Sequence, residues 1–198
     1  MFSSFPNPGF FSPNFQVKSV PSTVETRSIR SRLESSRRSW LGDLRSSVAN
    51  AAALLRRSGI SARDHVMLRL DNSLAFPIAF LALTAMGAIP IVTSAQLTAP
   101  EVDRLVDLTH PTRVIADTNI VQPSIPLPTI SVSALLSAPD AAFDPVMDDP
   151  NRPAYIVFTS GTFGTPKAVV HAHRSVWARR MMWDDWYGLR SNDRLYHA

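Results

Sequence analysis

Residues 155–173 read Tyr-Ile-Val-Phe-Thr-Ser-Gly-Thr-Phe-Gly-Thr-Pro-Lys-Ala-Val-Val-His-Ala-His. The apolar run Tyr155 to Phe158 passes straight into Thr159, Ser160, Gly161 and Thr162. Gly164, Thr165, Pro166 and Lys167 follow, and then a second apolar run resumes. Glycine lets backbone N–H groups converge on an anion in conformations that a side chain forbids. Hydroxyls add donors, and a lysine supplies a mobile point charge against phosphate oxygens. Polyphosphate is the ligand class that uses all three together. The spacing is not that of the G-x-x-x-x-G-K-[ST] loop, which opens onto a helix. Here Pro166 precedes the lysine and Ala168-Val169-Val170 follow it, so the loop is expected to join two strands. A hairpin turn whose hydroxyls cap its own backbone would have the same composition. Composition alone does not separate the two readings.

Other chemistry-bearing residues weigh less. His171 and His173 would point the same way on a strand, but no cysteine or carboxylate stands beside them, so turn or core roles are favoured over a metal pair. Trp177, Met181, Met182 and Trp186 recur at helical spacing, which favours a packed helix face over an aromatic platform. Asp184-Asp185 reads as a solvated face, and His65 and His110 as structural. No catalytic residue and no metal ligand set emerges. With no cysteine, disulfides, thiolate metal sites and thiol nucleophiles are excluded.

The elements that must position the loop are legible from Leu41 onward. Leu41, Leu44, Val48, Ala51, Ala52 and Leu55 recur at three- and four-residue spacing, so 41–57 reads as an amphipathic helix, ended by Gly59. His65 to Leu70 is a strand candidate, and Asp71-Asn72-Ser73 suits a turn and a helix cap. Leu74 to Met86 is apolar on nearly all sides, as in a buried helix with Gly87 as its C-terminal cap, and 88–93 reads as a second strand. Strand, helix and strand within about thirty residues form a βαβ unit and imply a parallel sheet. Thr98 and Glu101 have capping-box spacing for a helix running to Thr109, where His110-Pro111 ends it. Arg113 to Ala116 is a third strand. Half of the sixteen prolines lie between Pro111 and Pro153, and 117–153 reads as a surface connection with periodicity only around Val132–Leu136. The fold class is therefore α/β, a parallel or mixed sheet with packed helices.

Length and charge bound the rest. The 198 residues suffice for one good-sized domain or two small ones, and 45% apolar with 18% charged residues is an ordinary globular composition. The net charge is +4, but residues 1–40 hold six basic side chains against two acidic ones, and the remainder balances at fourteen of each. The basicity belongs to the leader and argues against a nucleic-acid partner. Residues 1–39, with ten serines among the first forty residues, have the Ser- and Arg-rich, acid-poor composition of a disordered or organelle-targeting segment. The expected location is cytoplasmic, or mitochondrial or another organelle if the leader directs import. No apolar run reaches the roughly 18–20 residues needed to span a bilayer.

The stretch "FTSGTFGTPKAVVHAH" resembles the phosphate-binding signature of the adenylate-forming (AMP-dependent synthetase/ligase) superfamily. "WLGDLRSSVANAAALLRRSGISARDHVMLRLDNS" is similar to the family's early helix, following strand and Asn-Ser turn, and "AMGAIPIVTSAQLTAPEV" to the stretch after it. The resemblance covers about residues 40–198. Two positions depart from the pattern: Phe163 stands where a small or hydroxyl residue is usual, and Ala168 where glycine is usual.

This resemblance implies activation of a small-molecule carboxylic acid by MgATP, the carboxylate attacking the α-phosphate to give an acyl-adenylate and pyrophosphate. Transfer to the thiol of coenzyme A would follow, as in the acyl-CoA synthetases of fatty acid metabolism. Thr159, Ser160, Thr162, Thr165 and Lys167 would hold the β- and γ-phosphates, with Gly161 and Gly164 giving backbone access. The later family segments (acyl pocket, adenine platform, ribose-binding aspartate, magnesium-binding glutamate, small C-terminal domain) have no counterpart here. The expectation is thus the front part of a large N-terminal adenylation domain over 40–198, inactive alone and lacking its C-terminal partner. It comprises a βαβ region at 41–116, the connection 117–153, and the loop with its following helix at 154–190. The alternative is a truncated, non-catalytic homologue that binds nucleotide weakly or serves interaction.

Overall fold

The computed structural model describes residues 42–159, 166–188 and 190. Helix α1 (42–57) leads through a turn at Gly59 into β1 (His65–Arg69), then α2 (Ala75–Met86), β2 (Ile89–Val92), α3 (Ala99–Thr109) and β3 (Arg113–Ala116). β4 (Thr129–Ser131) and the short α4 (Val132–Leu136) follow, and then β5 (Pro153–Thr159), β6 (Lys167–Ala172) and α5 (Ser175–Asp185). The six strands form one sheet in the order β4-β3-β1-β2-β5-β6. All neighbours are parallel except β5 and β6, which run antiparallel as a hairpin. This is the mixed α/β sheet that the alternation of strand-like and helix-like runs implied.

Strand alternation sorts the helices onto two faces. Val66 and Leu68 of β1 and Ile115 of β3 join α1, α2 and Leu135 of α4 in one cluster. Met67 of β1, with Val114 and Ala116 of β3, packs against Val102, Leu105 and Val106 of α3. Successive side chains of a strand point to opposite faces, so a central strand apolar on both sides, like β1, must be covered on both.

The ends of the helices follow local chemistry. Gly87 closes α2 at φ 77° with its N–H directed to Leu83 and Thr84 carbonyls, the left-handed cap that glycine adopts without a Cβ penalty. Thr98 opens α3, its N–H and its hydroxyl both donating to Glu101 Oε2 at 2.8 and 2.7 Å. His110 ends α3 at φ 46°, ahead of Pro111. His65 joins the same corner, its Nδ1 lying 2.7 Å from the Thr109 carbonyl.

Three features differ from the sequence reading. Ser73 does not cap α2: its N–H bonds back to the Asp71 carbonyl, and the helix opens at Leu74 with no side-chain cap. The proline-rich stretch contributes β4 to the sheet and a buried Leu135 to the core, because an edge strand of three residues leaves too short a pattern to recognise. Finally, α5 does not present a packed face. Trp177 is 64% and Trp186 75% exposed, and Met181, Met182, Trp183 and Tyr187 are exposed beside them.

Candidate functional site

The carboxyl ends of the parallel strands β1, β2, β3 and β5 share one edge of the sheet, the edge where open α/β sheets hold ligands. β5 ends there at Thr159, and β6 begins at Lys167. The pairs Thr159↔Lys167, Phe158↔Ala168 and Val157↔Val169 close the hairpin, so Thr159 and Lys167 face each other across its last rung. Both are exposed. The loop therefore joins two strands, and Ala168, where a glycine was usual, sits in extended backbone that any residue adopts.

Of the seven loop residues expected to contact phosphate, the structure places Thr159 and Lys167 side by side. Ser160, Gly161, Thr162, Gly164 and Thr165 lie outside the described residues, as does Phe163.

The hairpin is braced from below. Ile156 is buried with Ile89 and Ile91 of β2, and Phe158 packs toward both this cluster and that of α3. Tyr155 stacks on His171 across the hairpin and meets Phe80 of α2 edge-on. His171 is thereby a packing residue. His173 lies beyond the end of β6 in the turn to α5, so the two histidines do not form a pair on a strand. Among the described residues no group of three His, Asp or Glu could hold a metal ion.

Beside the hairpin, a cavity of about 260 Å³ is lined by Arg104, Leu105, Asp107 and Leu108 of α3 and by Pro166, the residue before Lys167. One further residue of this edge escaped the sequence reading. Arg69, the last residue of β1, is completely buried, its Nε donating to Val121 O at 2.8 Å and its Nη1 to Thr93 Oγ1 at 3.1 Å and Ser94 O at 2.5 Å. Burial alone lowers its pKa from the ordinary arginine value. The signal was present as a lone charge closing the apolar run Val66 to Leu68.

The AMP-binding enzyme family model matches residues 26–198, and the chain belongs to that family. It is 28% identical over 152 residues to the 4-hydroxybenzoate–CoA/benzoate–CoA ligase of Rhodopseudomonas palustris, covering 68% of this chain and 28% of the relative. It is 29% identical over 163 residues to the long-chain-fatty-acid–CoA ligase FadD13 of Mycobacterium tuberculosis, covering 75% of this chain and 32% of that one. Among solved structures, o-succinylbenzoate CoA synthetase (MenE) from Bacillus subtilis, in complex with the acyl-adenylate intermediate OSB-AMP, superposes with a TM-score of 0.70 at 18% identity. That match covers 77% of this chain and 41% of the other. The chain thus spans about a third of the length of the curated relatives it matches. No helix among the described residues is long and apolar enough to cross a membrane.

Proposed function

We propose that this chain supplies the ATP phosphate-binding loop of an acid-activating, AMP-forming enzyme. The observation that carries the reading is the hairpin: Thr159 and Lys167 face each other at the carboxyl edge of the sheet in a chain of the AMP-binding family. A loop of hydroxyls and glycines between those two residues would direct donors at the β- and γ-phosphates. Ser160, Thr162 and Thr165 would add hydroxyls, Gly161 and Gly164 backbone access, and Lys167 a charge. In-line attack on a phosphorus needs little covalent chemistry from the protein, so holding the pyrophosphate leaving group is the contribution to expect.

The acyl acceptor is proposed to be the thiol of coenzyme A, as the names of the two ligase relatives suggest. The acid is proposed to be a small-molecule carboxylic acid. One relative is named for hydroxybenzoate and benzoate and the other for long-chain fatty acids, so both classes belong in a substrate panel. Magnesium would enter with the nucleotide, and the proposal assigns it no residue of this chain.

A second reading, a nucleotide-binding or interaction protein without catalysis, draws on the exposed apolar side chains of α5. ATP binding and ATP–pyrophosphate exchange are the measurements. Exchange that depends on an added acid and falls at least about tenfold in Lys167→Ala would support the catalytic reading and overturn the expectation that this chain is inactive alone. ATP binding that depends on Lys167 without exchange would support the loop assignment and fit both readings. Binding of ATP unaffected by Lys167→Ala would sink the loop assignment in both.

A further inference from the structure

We propose that the Arg69 guanidinium is a second anion-binding position on the carboxyl edge of the sheet, taking a carboxylate or phosphate oxygen at Nη2. Arg69 is 0% exposed, yet among the described residues its Nη2 has no hydrogen-bond partner. Its other nitrogens meet only neutral acceptors: the Val121 and Ser94 carbonyls and the Thr93 hydroxyl. The Thr93 hydroxyl is itself committed as a donor to Leu68 O at 2.7 Å. A buried cation without an opposite charge is unfavourable, and a buried donor without an acceptor adds to that. Among the described residues no carboxylate supplies either.

The placement agrees with a ligand position. β1 runs onward into α2 on one face of the sheet, and β2 runs onward into α3 on the other. Diverging connections leave the crevice in which open α/β sheets bind ligands. Arg69 ends β1, and Thr93 and Ser94 directly follow β2, so the guanidinium spans the two diverging ends. Nε and Nη2 form the edge of the fork that grips an oxyanion with two bonds. Val121 O occupies the Nε corner, and an anionic oxygen at Nη2 would complete the edge. The parallel register Ile91↔Ile156 sets β2 beside β5, so this position and Thr159 share the carboxyl edge of one sheet.

The test uses the 198-residue chain with inorganic phosphate and acetate as probes, each titrated against chloride at fixed ionic strength. The readouts are the Arg69 side-chain Nε–H signal by NMR and the thermal midpoint. A shifted Arg69 signal with a raised midpoint is the expected result. A response to both probes assigns a general oxyanion position, and one to phosphate alone narrows it to phosphates. Arg69→Met should weaken phosphate binding about tenfold or more, while Arg57→Ala, an exposed cation of α1, leaves it unchanged. An unmoved Arg69 signal in the wild-type chain overturns the proposal, as water bridging Nη2 to the unpartnered Oε1 of Gln122 would produce. A response lost in Lys167→Ala but kept in Arg69→Met overturns it as well, placing the anion in the loop. If Arg69→Met fails to fold, the wild-type NMR titration still decides.

Discussion

Tyr155 and His171 stack nearly face to face across the β5–β6 hairpin, with ring centroids 4.7 Å apart and planes 12° from parallel. Phe80 of α2 meets the same tyrosine edge-on at 5.4 Å, and Phe76 stacks behind Phe80. A file of aromatics thus links α2 to the strands that carry the candidate loop. Such ring pairs contribute about 0.5–1.5 kcal/mol beyond the area they bury. His171→Ala should lower stability by about that amount in urea denaturation. An unchanged midpoint would mean that β5–β6 pairing alone holds the hairpin.

Gly87 lies where α2 meets the end of the proline-rich connection. Its φ of 77° is left-handed, and a Cβ there would stand 3.1 Å from Arg152 Nη1 and 3.4 Å from the Ala62 Cβ. Gly87→Ala should therefore destabilise by about 1–2 kcal/mol, read as a lower thermal midpoint. Gly42→Ala, where nothing lies within 4 Å, is the matched control and should change little. Equal effects at the two positions would remove the conformational argument.

Leu135 was a weak signal in sequence and is a strong one in structure. It is 1% exposed and lies in the cluster formed by α1, α2, β1 and Ile115. Leu135→Ala should cost about 2–5 kcal/mol, the range for truncating a buried leucine. A loss below about 0.5 kcal/mol, typical of surface positions, would show that the connection is not part of the core.

These residues also show what the sequence could and could not reveal. The α1, α2 and α3 periodicities, the glycine and proline stops and the βαβ order were legible because each is a local pattern longer than a turn. The hairpin around the loop was legible from Pro166 and the apolar run after Lys167. β4 was not, since its pairing with β3 is a tertiary fact carried by three residues. Nor was the exposure of α5, because Trp177, Met181, Met182 and Trp186 have the spacing of a packed face whatever covers it. Arg69 was overlooked for a related reason: nothing in its neighbours' types says that Thr93, Ser94 and Val121 converge on it. The phosphate contacts proposed for the loop came from resemblance, and composition left a plain turn equally open.

His173 makes the pH dependence of the β6–α5 corner calculable in sign. Its backbone N–H donates to the Arg152 carbonyl at 3.2 Å, while its ring Nε2 is buried and has no partner among the described residues. Burial first, and then the positive charge of Arg152, lower its pKa from the ordinary 6.5, with Asp148 opposing them. The folded state therefore resists protonation that the unfolded state accepts. Stability from this residue is fully present above about pH 6.5 and is lost as pH falls from there toward the lowered folded-state pKa. Arg152 cannot move away freely, since its Nη2 donates to Val146 O at 2.8 Å and its Nε pairs with Asp148. Urea denaturation at pH 7.5, 6.5 and 5.5 should give a falling midpoint for the wild type and a flatter profile for His173→Gln, which keeps a polar side chain but cannot titrate. Parallel slopes in the two proteins would assign the acid sensitivity to other groups.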